Sequence, residues 1–318
     1  MGPMMTRFAS AAVLALLVLP SAHSAGPRGL NQDPKPTGQE TPFQISVNLD
    51  LVVLPVSVRD RKGGFASDLK EQNFEVYEDG VRQSIRLFRH EDIPVTVGLV
   101  VDHSGSMQNK IADVIEAARA FVRSSNDQDQ MFVVNFNERV TLGLPPGIPF
   151  TDRPEDMQYA ILRAPLAGQT ALYDALDTAL DRLRTGDREK KVLVVISDGG
   201  DNASKLALPQ ILKKASESNA VVYAIGIFDK DDPDQNPTVL RRLAKETGGE
   251  AWFPDRSGEA AELCEGIAKD IRHQYALGYV SSNTVTVGHR SVRVVAKAAG
   301  KDLVVRTRAG YIAGGDEK

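Results

Sequence analysis

At 318 residues, with 42% hydrophobic and 25% charged side chains, the chain has the make-up of a soluble globular protein with room for one large domain or two ordinary ones. Its formal net charge of −4 arises from mixed signs without a long basic stripe, which gives little support to nucleic-acid binding by phosphate neutralisation. The only cysteine, Cys264, excludes an intramolecular disulfide and reads as a small buried hydrophobe on a helix.

Residues 1–24 read as a secretory signal peptide. Arg7 precedes the apolar run "FASAAVLALLVLP", which is short for a bilayer span and is followed by the small residues "SAHSA". Ala22 and Ser24 suit the small-residue positions of a cleavage site, with Ala25 a neighbouring alternative. The mature protein is then expected outside the cytoplasm, secreted or periplasmic, with no stable membrane insertion after cleavage; an uncleaved membrane anchor is the lesser alternative. Residues 25–42, rich in Gly, Pro and polar side chains, read as a disordered linker.

From residue 43 the pattern alternates, as in "FQISVNLDLVVLPVSVRD" and "NFEVYEDGVRQSIRLFRH", with Asp79-Gly80 marking a hairpin. Residues 43–92 therefore form a β-rich module. Across residues 93–273 apolar strands ("VTVGLVVD", "QMFVVNFN", "KVLVVISDGG", "VVYAIGIF") alternate with amphipathic helices ("NKIADVIEAARAFVRSS", "ALYDALDTALDRLR", "ALPQILKKASESN", "NPTVLRRLAKETG"). This predicts an α/β domain with a doubly wound, mostly parallel sheet of Rossmann-like type, whose ligands bind beyond the carboxyl ends of the strands. Residues 274–314 return to β and are too short to stand alone, so they are expected to pair with residues 43–92, with the α/β domain inserted between.

The run "VTVGLVVDHSGSM" reads as a strand covered on both faces that ends on Asp102 and then offers Ser104 and Ser106 at alternate positions. In an extended loop this alternation directs their oxygens to one side. Hard oxygen donors gathered on one side suit Mg²⁺. Two distant partners stand in suitable places: Thr170, just before a helix in "AGQTALYDAL", and Asp198, at the end of the strand in "VLVVISDGGDN".

Together, D-x-S-x-S after a core strand, a threonine before a helix and S-D-G after a later core strand resemble the metal-ion-dependent adhesion site of von Willebrand factor A (VWA) domains. The flanks "FEVYEDGVRQSI" and "YALGY", "VRTRAGYIA" are similar to those of bacterial secreted proteins called VWFA-related. The resemblance implies a VWA fold and a site for Mg²⁺ or Mn²⁺ formed by Asp102, Ser104, Ser106, Thr170 and Asp198. It implies direct metal bonds from the two serines, and bonds from the threonine and aspartates that are direct or through water depending on state. Two carboxylates among several neutral hydroxyls leave a cation under-neutralised, so an acidic group from a protein or peptide partner can complete its shell.

Other readings stand beside this one. A metal-dependent hydrolase would need a placed base, and His103, next to Ser104, is expected to be exposed and to point away. A metal-stabilised scaffold would bind through its β domain. Gly199 and Gly200 let the Asp198 loop pass close to the site, and Asp201 caps or stabilises that loop. The acid-rich "DKDDPDQNP", residues 229–237, lacks the central Gly and closing Glu of an EF-hand and reads as a solvated loop. The sequon at Asn202 lies beside the metal loop, where a glycan would obstruct binding.

Overall fold

The computed structural model describes residues 51–228, 234–256, 258–283 and 287–314. The signal peptide, the linker, residues 43–50 and most of the acid-rich stretch at 229–237 lie outside the described residues. In chain order the strands and helices are β1 (Leu51–Asp60), β2 (Phe74–Glu78), β3 (Val81–Gln83), β4 (Ile85–Arg89), β5 (Val95–Asp102), α1 (Ile111–Arg123), β6 (Gln130–Phe136) and β7 (Val140–Leu142). There follow α2 (Pro154–Leu162), α3 (Leu172–Arg184), β8 (Lys190–Ser197), α4 (Leu208–Glu217), β9 (Val221–Gly226), α5 (Pro237–Thr247) and β10 (Ala251–Trp252). The chain ends with α6 (Glu259–Arg272), β11 (Tyr275–Val280), β12 (Gly288–Ala296), β13 (Leu303–Arg306) and β14 (Gly310–Ala313). Among the described residues no helix is long and apolar enough to cross a membrane.

The central sheet has the order β10-β9-β8-β5-β6-β7, with every neighbouring pair parallel except β6 and β7. All eight residues of β5 are buried, as expected of a strand covered on both faces. From β5 the chain steps one way to β6, then crosses back over β5 to β8, β9 and β10. Right-handed crossovers running in opposite directions put their helices on opposite faces. Accordingly α1 packs with α2 and α6, and α3 packs with α4, which packs with α5. The loops after β5 and β8 therefore leave adjacent strands toward opposite faces and open a crevice at their carboxyl ends.

The flanking strands make two antiparallel sheets, β13-β1-β11-β4 and β14-β12-β2-β3. Alternate residues of their facing strands close a second core: Leu54 and Val56 of β1, Phe74 and Val76 of β2, and Leu277 and Tyr279 of β11. The N- and C-terminal segments thus share one β-sandwich, because neither offers enough apolar faces alone. Asp79 and Gly80, at φ 47° and 81°, form the two-residue turn of the β2–β3 hairpin, where both central positions need positive φ. The chain leaves the sandwich through β4 and returns through β11, and these two strands pair with each other.

One buried carboxylate joins the two cores. Asp270, near the end of α6, accepts hydrogen bonds from Ser57 Oγ at 2.5 Å and Arg59 Nη2 at 2.9 Å, both on β1, and from Tyr223 Oη at 2.6 Å, on β9. Arg306 of β13 also pairs with it. Burial alone would push its pKa up, but the Arg306 guanidinium first, then Ser57, Tyr223 and Arg59, hold the carboxyl below the ordinary aspartate value.

A group lowered in this way contributes stability that is complete above its unfolded pKa and is lost as the pH falls through its folded one. Asp270→Ala, which leaves Arg59 without a carboxylate and Arg306 with Glu250 alone, is expected to cost about 3–5 kcal/mol in urea unfolding. Asp270→Asn is expected to flatten the stability profile on the acid side, between roughly pH 5 and pH 1. An unchanged acid limb in that variant would remove Asp270 from the junction's energetics.

Candidate metal centre

The crevice beyond β5 and β8 holds four of the five sequence-predicted residues in one hydrogen-bonded chain. Asp102, fully buried at the tip of β5, accepts from the Ser104 N–H at 2.8 Å through Oδ1 and from Ser197 Oγ at 2.6 Å through Oδ2. Ser104 Oγ lies 3.1 Å from Ser106 Oγ, and Ser106 Oγ donates to Asp198 Oδ2 at 2.6 Å. Asp198 in turn accepts from the Gly200 N–H at 3.0 Å.

The two serine hydroxyls meet by a different route from the extended alternation expected. Residues Gly105–Met107 form a turn of 3-10 helix, entered at Ser104 and closed by the Met107 N–H on the Ser104 carbonyl at 3.0 Å. A tight turn of this kind, unlike an extended run, brings residues two apart into contact once Asp102 has folded forward to hold the Ser104 N–H.

Thr170 joins the crevice through its backbone. Its N–H donates to Asn202 Oδ1 at 2.9 Å, and its carbonyl accepts from the N–H groups of Asn202 and Ala203 at 2.9 and 3.0 Å. The Gly105 N–H donates to the Gly168 carbonyl at 3.1 Å, so the loops carrying Ser104, Thr170 and Asp198 are laced together by main-chain bonds. The Thr170 hydroxyl makes no hydrogen bond among the described residues and is left as a donor oxygen.

His103 departs from expectation. It is buried, 1% exposed, with Nε2 3.1 Å from Asn135 Oδ1 on the neighbouring strand β6. Asn135 Nδ2 donates to the Ala160 carbonyl at 2.7 Å, which turns Oδ1 toward the ring and fixes the proton on Nε2. Burial, opposed in part by that bond, lowers the His103 pKa and keeps the ring neutral. The ring turns away from Ser104, as expected, but into the core and not into solvent.

Three positioning residues escaped the sequence reading. Ser197 orients Asp102 and accepts the Gly199 N–H at 3.0 Å; its only signal was its place directly before Asp198. Asn202 holds the Thr170 loop and donates to Asp234 Oδ2 at 3.2 Å, so its amide is already engaged at the sequon. Lys110 Nζ donates to the Ile227 carbonyl at 3.1 Å, tying the approach to α1 to the end of β9. Asp201, as expected, is a loop anchor: its Oδ1 accepts from the Tyr173 N–H at the start of α3 and from Ser204 Oγ. Gly199, at φ 79°, lies where a Cβ would stand 2.4 Å from the Asn236 carbonyl oxygen, so the Asp198 loop needs glycine there.

Two carboxylates and the hydroxyls of Ser104 and Ser106, with Thr170 on the adjoining loop, form an oxygen-lined but ligand-poor site. Among the described residues no three His, Cys, Asp or Glu side chains gather as a metal group. A cation here would draw half or more of its protein ligands from neutral hydroxyls, a donor set of hard oxygens that fits a divalent ion. Burial first, and then the charge of Asp198, push the Asp102 carboxyl up to about 6. Positive charge is what this arrangement lacks.

The profile of the von Willebrand factor type A domain matches residues 96–265, more than half of the chain, from the second residue of β5 to the middle of α6. Among solved structures, a von Willebrand factor type A protein of Catenulispora acidiphila shares 14% identity over 82% of this chain and 74% of its own, with a TM-score of 0.51. The conserved hypothetical protein BatB of Bacteroides thetaiotaomicron shares 17% identity over 56% of this chain and 97% of its own, with a TM-score of 0.46. Proximal thread matrix protein 1 of the mussel byssus, solved with a zinc-occupied MIDAS motif, shares 18% over 61% of this chain and 49% of its own, also at 0.46. No curated protein matches the chain.

Because burial is the larger cause and Asp198 the second, Asp198→Asn is expected to bring the Asp102 titration down from about 6 while leaving it above the ordinary 3.8. Carboxyl ¹³C NMR of the chelator-treated protein measures both values. A raised carboxyl makes the folded form hold the extra proton, so this group's contribution to stability falls as the pH rises from the ordinary aspartate value to about 6. An Asp102 titration unmoved by Asp198→Asn would separate the two carboxylates electrostatically.

Proposed function

The chain belongs to the von Willebrand factor type A family, and from that premise we propose that it is a binding protein whose Asp102, Ser104, Ser106, Thr170 and Asp198 form a MIDAS-type site engaging an acidic group of a protein partner. Domains of this family generally bind proteins and commonly hold a divalent metal. The observation that carries the reading is the Ser104–Ser106–Asp198 chain of hydrogen bonds, which gathers hydroxyl and carboxylate oxygens in the crevice while Asp102 is held by Ser197.

Mg²⁺ or Mn²⁺ suits the hard oxygen donors, and when bound it supplies a coordination position open to a carboxylate from outside. The chain's own residues do the rest. Ser197 and the Ser104 N–H hold Asp102 with its oxygens fixed, the Gly200 N–H holds Asp198, and Asn202 holds Thr170 at the rim. The acidic partner group then fills the coordination position that the two carboxylates and the neutral hydroxyls leave open.

Binding is favoured over hydrolysis because His103, the one base beside the serines, is turned onto Asn135 inside the core. The apolar run at residues 8–20 and the small residues after it support a location outside the cytoplasm, secreted or periplasmic.

A divalent ion at 100 times its Kd is expected to stabilise the fold by about 2.7 kcal/mol, and by less at pH 5 than at pH 7.5, because protons compete for Asp102 below about 6. Calorimetric melting with Mg²⁺, Mn²⁺ or EDTA measures this, and a pH-independent shift would place the ion elsewhere. Capture from cell-envelope extract is expected to retain a partner on the Mg²⁺-loaded protein and to lose it with EDTA or in Ser106→Ala and Asp198→Ala. Retention that ignores chelation and both substitutions would move the interface to the β-sandwich.

A further inference from the structure

A second surface stands apart from the crevice. Between α5 and the strands β12 and β13 lies a groove of about 500 Å³. Its walls carry five cations, Arg241, Lys245, Arg293, Arg306 and Arg308, and one carboxylate, Glu250, which is already bonded to Arg306. The chain as a whole has a formal charge of −4, so this concentration of positive charge runs against its average.

Three of the five cations are exposed and have no carboxylate partner among the described residues. Arg241 lies over the ring of Phe253 at 4.3 Å and Arg293 over that of Tyr77 at 4.2 Å, contacts that hold long side chains in place without neutralising them. Lys245 stands one helical turn from Arg241 on α5. Arg308 is 4% exposed, and its guanidinium donates to the Gly310 carbonyl at 3.0 Å, to Asn219 Oδ1 at 2.6 Å and to the Ser216 carbonyl, all neutral oxygens. A buried charge is ordinarily paired with an opposite one. Arg308 instead leaves its field to the groove.

The shape of the groove narrows the class of anion. Val305 of β13 is half-buried beside it, and two of its borders are sheet edges: β10 ends the central sheet and β13 ends one sheet of the sandwich. A sheet edge binds an extended polypeptide through main-chain hydrogen bonds, and alternate side chains of that strand then face opposite ways. The two neighbouring rings, Phe253 and Tyr77, are covered by arginines and offer no platform for stacking bases.

We infer that this groove is a second, metal-independent binding surface, which takes an extended acidic segment of a partner protein along the edge of β13. Carboxylates at alternate positions meet Arg241, Lys245 and Arg293, and the residues between them pass beside the half-buried Val305.

The test uses the full mature chain in EDTA and fluorescence anisotropy with a labelled octapeptide of alternating Glu and Val. The same peptide with Lys for Glu, its backbone N-methylated form, a sulfated oligosaccharide and a single-stranded oligonucleotide serve as comparisons. The acidic peptide is expected to bind saturably, to weaken as salt rises, and to lose roughly tenfold or more in affinity when Arg241, Lys245 and Arg293 are all changed to Glu. N-methylation is expected to weaken it as well. All three substituted residues are exposed, so the melting temperature of the variant is expected to hold near that of the parent. No saturable binding, affinity unchanged in the triple variant or on N-methylation, or tighter binding of the oligosaccharide or oligonucleotide would overturn the inference.

Discussion

Two carboxylates at the tips of adjacent buried strands are the constraint on which the candidate site rests. Asp102 ends β5 and Asp198 follows β8, and the parallel register of those strands fixes how near they stand. Their mutual repulsion adds to the cost of burial and raises the Asp102 carboxyl. Such an arrangement persists only because it is held from behind: Ser197 and the Ser104 N–H on one carboxylate, Ser106 and the Gly200 N–H on the other. Strain of this electrostatic kind is characteristic of sites that await an ion or a ligand.

The rest of the molecule keeps those tips in place. Helices on both faces cover β5 and β8, while the sandwich holds the central domain by two adjacent strands, β4 and β11. Asp270 ties α6 to β1, β9 and β13 in one buried network, so the last helix of the central domain is fixed to the sandwich by charge as well as by packing. A buried carboxylate bonded to two guanidinium groups, a hydroxyl and a phenol leaves few of its lone pairs unsatisfied. The cationic groove opens near the same junction, with Arg306 facing both.

Much of this was legible in the sequence because periodicity and turn chemistry are local. The strands β5, β6, β8 and β9 and the helices α1, α3, α4 and α5 followed from apolar spacing, and the Asp79-Gly80 hairpin from the φ values that turn requires. The elements between residues 137 and 162 escaped. β7 has three residues, and α2 has nine of which only Met157, Ala160 and Ile161 are buried, too little pattern for a period to declare itself. The burial of His103 was invisible because its partner, Asn135, stands on a neighbouring strand 32 residues away. The role of Asn202 in holding Thr170 and that of Asp270 at the junction are likewise contacts between distant segments, which no local signal announces.

The most direct test of the central claim is the position of a bound ion. Crystals of the mature protein grown or soaked with Mn²⁺ give an anomalous signal that locates the metal without reference to function. The account predicts one strong peak in the crevice beside Ser104 Oγ and Ser106 Oγ, absent in Asp198→Ala. A map with no peak there, or with one that persists in Asp198→Ala, would contradict it.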